Sequence, residues 1–267
     1  MKLGASVSGF FDILYQEAID ALGASTIQTF ELSPKVFFRK TMQNEFNAML
    51  RDTGKKAASY HIPYGLGFDI SRLDESIRQE AVANTVNLLD HAAVFNCGII
   101  VIHASYGPIA DDERGKRVDQ ARRSLDELEK ELTARGQRLA VELLPRHCIG
   151  NKVEELMSIL KDHSDTFGVC LDTNHFTWGI EKLIPSVAQF GKRLITTHIA
   201  DYLGEDEMHI VPGEGKVDWP GFARALIAAD YQGPFNYEIN RFPISPEKRI
   251  RSVEDSYRRI FKPIFEP

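Results

Sequence analysis

Acidic residues and histidines recur in this chain at the ends of short apolar runs: His61, His103, Glu142, Asp172 with His175, His198, and Glu238. Taken singly, each has an ordinary explanation. A glutamate at a strand end can cap a helix or pair with an arginine, and a histidine can be a hydrogen-bonded core residue. Their recurrence at equivalent places changes the balance. Burying several carboxylates side by side costs several kcal/mol or forces protonation, whereas a divalent cation neutralises them.

Glu142, Asp172, His198 and Glu238 form such a set, three carboxylates and one imidazole. This mainly oxygen donor set suits one Mn²⁺, with Mg²⁺ or Co²⁺ as substitutes, and leaves positions for water or substrate oxygens. Structural zinc would more often use cysteines. The ionised carboxylates outweigh a divalent ion by a single charge, which favours neutral hydroxyl or carbonyl ligands, those of a polyol or hydroxy-ketone.

For these residues to meet, strand ends far apart in sequence must share one rim. The sequence predicts strands in LGASV from Leu3, TIQTFEL from Thr26, AASYHIP from Ala57 and GIIVIHAS from Gly98. The second half adds RLAVELLP from Arg138, FGVCLDTNH from Phe167, RLITTHIAD from Arg193 and GPFNYEIN from Gly233. Amphipathic stretches separate them. In DESIRQEAVANTVNLLDHAAVF, Ile77, Val82, Val86, Leu89 and Val94 fall at spacings compatible with one buried helical face. RVDQARRSLDELEKELTAR behaves similarly. No GxGxxG follows the first strand, so the expected class is α/β, a single (β/α)8 TIM barrel over residues 1–267. In that fold the C-terminal ends of the strands form the rim where active sites lie.

Hydrophobic residues make up 43% and charged residues 26%, with no linker or low-complexity tract, so one domain is expected. The formal net charge of -6 supplies no broad field for phosphate backbones or anionic membranes, and neither nucleic acid nor membrane is expected as a partner. The basic residues of DDERGKRVDQARRSLDELEK and SPEKRIRSVEDSYRRIFK are interleaved with acids and are expected to lie on solvated helix faces. Cys97, Cys148 and Cys170 are widely spaced without a CxxC pair, which fits a reducing cytoplasm, and Cys97 and Cys170 are expected core fillers. Asp12, Glu17 and Asp20 interrupt any signal-peptide core near the N-terminus. His91 and His163 fall in helical stretches, where a surface or packing role is expected. Phe10, Phe11, Tyr64, Tyr106, Trp178 and Trp219 stand where aromatic rings either line a sugar pocket or pack over the barrel mouth.

The motifs VELLPRH, LDTNHFTWG, THIADYLGEDEMHIVPGEGKVDW and YEIN resemble those of the xylose isomerase-like TIM-barrel superfamily, from the first strand to the last. That superfamily holds sugar isomerases, ketose 3-epimerases, inosose dehydratases, hydroxypyruvate isomerases and endonuclease IV. The resemblance implies that Glu142, Asp172, His198 and Glu238 ligate the metal, and that Glu142 and Glu238 also act as a catalytic acid/base pair. The implied activity is isomerisation, epimerisation or a related elimination on a keto-sugar, inosose or similar polyol, through a metal-stabilised enediolate. His175 and His209 match positions that contact substrate oxygens, His209 standing where several ketose epimerases carry arginine. His61, His103 and Arg146 complete the expected substrate contacts. After Glu142 the chain reads LLPRHC, where ketose 3-epimerases tend toward an asparagine-arginine pair and a second glutamate. Arg146 is kept and Cys148 replaces the acid, which leaves Arg146 and His147 to meet a differently decorated substrate.

The same resemblance carries a second possibility, a trinuclear zinc phosphodiesterase like endonuclease IV. It would draw on His61, His103, Glu142, Asp172, His175, His198, His209 and Glu238, with Glu207 where an aspartate is expected. The interleaved acids and the lack of a basic or aromatic wedge weigh against it. The favoured partner is a small carbohydrate, and a homo-oligomer is common among such barrels.

Overall fold

The computed structural model describes residues 1–9, 15–34, 40–239 and 245–266; Phe10, Phe11 and Asn240 lie outside them. Eight parallel strands close into a barrel in chain order, β8 pairing back onto β1. The strands are β1 (Leu3–Ser6), β2 (Thr29–Leu32), β3 (Lys56–His61), β4 (Ile99–Ile102), β5 (Arg138–Glu142), β6 (Phe167–Asp172), β7 (Leu194–Ile199) and β8 (Phe235–Tyr237). The surrounding helices are α1 (Tyr15–Ala24), α2 (Lys40–Thr53), α3 (Glu75–Val94), α4 (Asp111–Arg135), α5 (Val153–Leu160), α6 (Leu183–Phe190), α7 (Trp219–Ala228), α8 (Pro246–Ile260) and α9 (Lys262–Phe265). The fold is the expected (β/α)8 barrel, and each anticipated apolar run supplies one strand.

Alternation along the strands sorts their side chains. Outward residues meet the helices: Phe30 of β2 packs edge-on against Phe46 of α2, ring centroids 5.7 Å apart. Inward residues fill the barrel, where Val101, Ala140, Cys170 and Ile195 form a small apolar cluster of their own. Two residues beyond Val101, Ala140 and Cys170, the same inward direction delivers His103, Glu142 and Asp172 to the rim. Ser59 and Thr196 stand in the same relation to His61 and His198, and Asn236 to Glu238.

The helices depart from expectation in detail. Asp74 caps α3, its carboxylate accepting from the amides of Ser76 and Ile77. The buried face then runs through Arg78, Ala81, Val82, Thr85, Leu89 and Ala92, while Val94 is 53% exposed. α3 packs against α4, and the cost of a buried arginine is met by partners. Arg78 donates to Glu75 and Glu127 and to Ser124 Oγ, at 2.7–2.9 Å. Arg117 is also buried, contrary to the expectation of a solvated basic face. It bonds Asp69 at 2.8 Å and Ser71 at 3.2 Å, tying the loop after β3 to α4. Arg249 of α8 is buried as well. Among the described residues, no helix is long and apolar enough to cross a membrane.

Gly168 of β6 marks a place where the barrel wall admits no side chain. A Cβ there would stand 2.6 Å from the Arg193 carbonyl oxygen and 2.7 Å from Ile195 Cγ2. Overpacking of this kind costs about 1–3 kcal/mol. Gly168→Ala is expected to lower the thermal midpoint measurably in a calorimetric scan; an unchanged midpoint would show that the β6–β7 wall yields freely.

Candidate metal centre

The rim gathers Glu142 from β5, Asp172 from β6, His198 from β7 and Glu238 just past β8, with one ligand atom of each within 4.8 Å of all the others. His198 is fully buried at the centre, its Nδ1 lying 3.1 Å from Glu238 Oε2, 3.3 Å from Glu142 Oε1 and 3.8 Å from Asp172 Oδ2. Asp172 is fixed from below, Oδ1 accepting the Asn174 amide at 2.6 Å. Its Oδ2 is buried without a hydrogen-bond partner. An orphaned carboxylate oxygen facing two more carboxylates and an imidazole nitrogen is a donor set for a divalent cation, and the four residues fit one.

Two histidine pairs flank this set. His61 Nε2 and His103 Nε2 both lie 3.0 Å from Glu142 Oε2. On the other side His175 Nε2 is 2.8 Å from Glu207 Oε1 and 3.4 Å from Asp172 Oδ2. His209 Nδ1 is 3.1 Å from the Glu238 carbonyl oxygen. His61 and His175 each face an acceptor at both ring nitrogens, the other nitrogen bonding the Ile62 and Leu143 carbonyls respectively, both at 2.7 Å. A neutral imidazole has one proton and satisfies only one of two acceptors. Each ring must therefore be an imidazolium or share a cation with its carboxylate.

The electrostatics follow. Burial alone would raise the Glu142 carboxyl, but His198 and His103 hold it well below the usual range. Burial likewise opposes charge on His61 and His175, yet Glu142 lifts the first to about 9, and Asp172 with Glu207 lifts the second to about 10. Asp172 is pushed up to about 6 by burial, only partly offset by His175 and His209. Burial pushes the Cys170 thiol far above its ordinary value, and its sulfur lies within 4.8 Å of ligand atoms of both Glu142 and His198.

A cavity of about 270 Å³ opens above the cluster, lined among others by His61, His103, Glu142, Arg146, His175, Glu207, His209 and Glu238. Asp172 and His198 do not line it. Arg146 reaches its edge but is already engaged, by Glu207 at 2.6 Å and Asp206 at 2.8 Å. Tyr64 and Tyr106 also line the cavity, and the Tyr64 ring lies parallel to His103 at 5.2 Å. Trp178, Trp219 and His147 are not among its walls. Trp219 is instead buried beneath the loop after β7, donating to Asp201.

That loop is held by two buried polar side chains. Asp201 accepts from the amides of Tyr202, Gly213 and Val217 and from Trp219 Nε1, at 2.8–3.2 Å. Asn174 Oδ1 accepts from the amides of Met208 and His209 at 2.6 and 3.3 Å. These bonds hold His209 at a φ of 48°, and Arg146 has a φ of 54°. Left-handed conformations at non-glycine residues cluster where a site imposes them.

Sequence inspection missed Glu31. This β2 carboxylate is fully buried, with its oxygens 3.0 and 3.1 Å from His198 Nε2. A signal was present: Glu31 stands between Phe30 and Leu32 as Glu142 stands between Val141 and Leu143, and Glu238 between Tyr237 and Ile239.

Comparison with known proteins gives a consistent family. The model of the xylose isomerase-like TIM barrel matches residues 16–260. The y4fM protein of Sinorhizobium fredii is 29% identical over 187 residues, covering 67% of this chain and 57% of that protein, so the chain spans little more than half of that relative. Among solved structures, the IolI protein with a bound zinc atom superposes with a TM-score of 0.85 at 17% identity, covering both chains completely. A D-psicose 3-epimerase with D-tagatose from Clostridium cellulolyticum H10 gives 0.81 at 20% identity, covering 97% of this chain and 99% of that one.

The loop after β7 tests the positioning argument. Asp201→Asn removes a charge that several buried donors share and puts an amide N–H₂ against some of them, which costs about 1–3 kcal/mol. The amides of Gly213 and Val217 are expected to exchange with deuterium markedly faster in the variant. Unchanged exchange would mean that other contacts hold the loop.

Proposed function

The chain belongs to the xylose isomerase-like TIM-barrel family, and within it we propose that this protein is a divalent-metal-dependent isomerase or epimerase of a small keto-sugar, inosose or related polyol. The observation that carries the reading is a division of labour among the four clustered residues. Glu142 and Glu238 line the cavity, whereas Asp172 and His198 lie behind it. All four would hold the cation, Mn²⁺ by preference for this oxygen-rich set, and only the two glutamates also reach a substrate. The similarity to D-psicose 3-epimerase supports the same class of chemistry.

A cation held there supplies Lewis acidity, polarising a carbonyl and acidifying the neighbouring C–H. The chain's own groups do the rest. Glu142 and Glu238 come from strands well apart around the ring, β5 and β8, so they approach a substrate carbon from different sides. One glutamate, as carboxylate, takes the proton alpha to the carbonyl, leaving an enediolate; the other, having first picked up a proton from solvent, gives it to the opposite face or to the adjacent carbon, and the first then releases its proton to solvent. His61 and His103 converge on Glu142 Oε2 and fix its orientation. His209 faces the cavity as a hydrogen-bonding partner for substrate oxygens, while His175, engaged at both ring nitrogens, holds Glu207 at the cavity wall. Because Arg146 is already paired with Asp206 and Glu207, no free cation is offered there to a phosphate, and the surrounding carboxylates favour an uncharged sugar.

One observation supports phosphodiester hydrolysis as a second reading. His61, His103 and Glu142, and separately Asp172, His175 and His209, also bring ligand atoms within 4.8 Å of each other, the grouping a multinuclear site would use. The neutralised arginine at the mouth favours the sugar reading over a grip on polyanionic DNA.

Turnover in deuterium oxide separates the two. A proton parked on a glutamate exchanges with solvent, so a keto-sugar or inosose substrate is expected to gain deuterium alpha to the carbonyl. No exchange and no altered product across ketoses, inososes and 3-keto-glycosides, together with cleavage of an abasic-site duplex, would establish the hydrolytic reading instead. Glu142→Gln and Glu238→Gln are each expected to lower kcat at least about 100-fold. Near-wild-type turnover by both variants would refute the two-glutamate mechanism.

A further inference from the structure

We propose that Glu31 is the residue that sets His198 as a metal ligand: it accepts a hydrogen bond from Nε2–H, which leaves the Nδ1 lone pair facing Glu142, Asp172 and Glu238, and thereby tightens cation binding. The inference rests on the metal reading of the rim and adds to it a residue outside the proposed ligand set.

The geometry is specific. His198 is fully buried, with one ring edge toward the three carboxylates and the other toward Glu31. Both Glu31 oxygens lie against Nε2, at 3.0 and 3.1 Å. A neutral imidazole carries one proton, so a carboxylate accepting from Nε2 leaves Nδ1 unprotonated and available to a metal. The accepting charge also raises the basicity of the opposite nitrogen, as carboxylate–histidine–metal arrangements do. Glu31 lies on the far side of the ring from the cluster and is absent from the ligand groupings, so it acts through His198 rather than as a ligand.

Glu31 is itself held in place. Strand alternation turns Phe30 outward against α2 and Glu31 inward. Ser59, its register partner on β3, donates Oγ–H to Glu31 Oε2 at 2.9 Å. Asn236 Nδ2 in turn donates to Ser59 Oγ at 3.3 Å and to Thr196 Oγ1 at 3.4 Å. A polar chain thus crosses the barrel interior from β8 through β3 and β2 to His198 on β7. A buried carboxylate with this support costs less to keep than an isolated one, and its surviving use is the imidazole it faces.

The test measures metal affinity, not activity. Wild type and Glu31→Gln, stripped of metal, are titrated with Mn²⁺ alone by calorimetry, and their folding is checked by circular dichroism. Glu31→Gln keeps the shape and loses the charge; its Mn²⁺ affinity is expected to fall about 10–100-fold. Glu31→Asp is expected to recover part of the loss. In the Zn²⁺-loaded wild type, ¹⁵N-resolved spectra of His198 are expected to show the Nε2–H tautomer. Equal Mn²⁺ affinity of wild type and folded Glu31→Gln, or a His198 protonated at Nδ1 in the Zn²⁺ form, would overturn the proposal. If Glu31→Gln does not fold, Ser59→Ala removes the donor that orients Glu31; a several-fold loss of affinity supports the assignment and none overturns it. Wild type that binds no Mn²⁺ would instead remove the metal reading on which the proposal stands.

Discussion

The structure depends on how negative charge is compensated at the C-terminal rim of the barrel. Glu31, Glu142, Asp172 and Glu238 are crowded around a single buried imidazole, His198, in a medium that screens poorly. Burial pushes one carboxyl, Asp172, up to about 6, and the charges of Glu238 and Glu142 act in the same direction. Such a cluster persists only if cations sit among the carboxylates, as imidazoliums, as a metal ion, or as both. The oxygen-rich donor set and the orphaned Asp172 Oδ2 favour a metal at the centre.

The fold makes this crowding possible by lending each strand one inward residue at its C-terminal end. No single strand contributes more than one member of the four-residue set, so no segment has to carry two adjacent charges. Restraint comes from a further layer. Asn174 and Asp201 fix the loop that brings Glu207 and His209 over the cluster. Arg117 and Asp69 anchor the loop after β3, next to Tyr64. These bonds position the side chains around the cluster.

Most of the barrel was legible in the sequence because alternation and apolar runs repeat with every strand, and the same rule located the rim residues from His61 to Glu238. What was not legible has physical reasons. Glu31 hides in a strand whose acid reads as solvent-facing unless the barrel is closed around it. Arg78 and Arg117 look like surface charges because their partners, Glu127 and Asp69, come from other segments. Trp219 stands beside a motif and yet packs below the loop, since its indole N–H has a buried carboxylate to reach. Which face an aromatic ring presents is decided by tertiary partners rather than by local spacing.

Anomalous diffraction at the manganese edge, from crystals grown with Mn²⁺, addresses the central claim most directly. The account predicts one strong peak among Glu142, Asp172, His198 and Glu238, within about 2.6 Å of a ligand atom from each, with His198 contributing Nδ1. A crystal that diffracts well, with those side chains ordered and no peak between them, would contradict it.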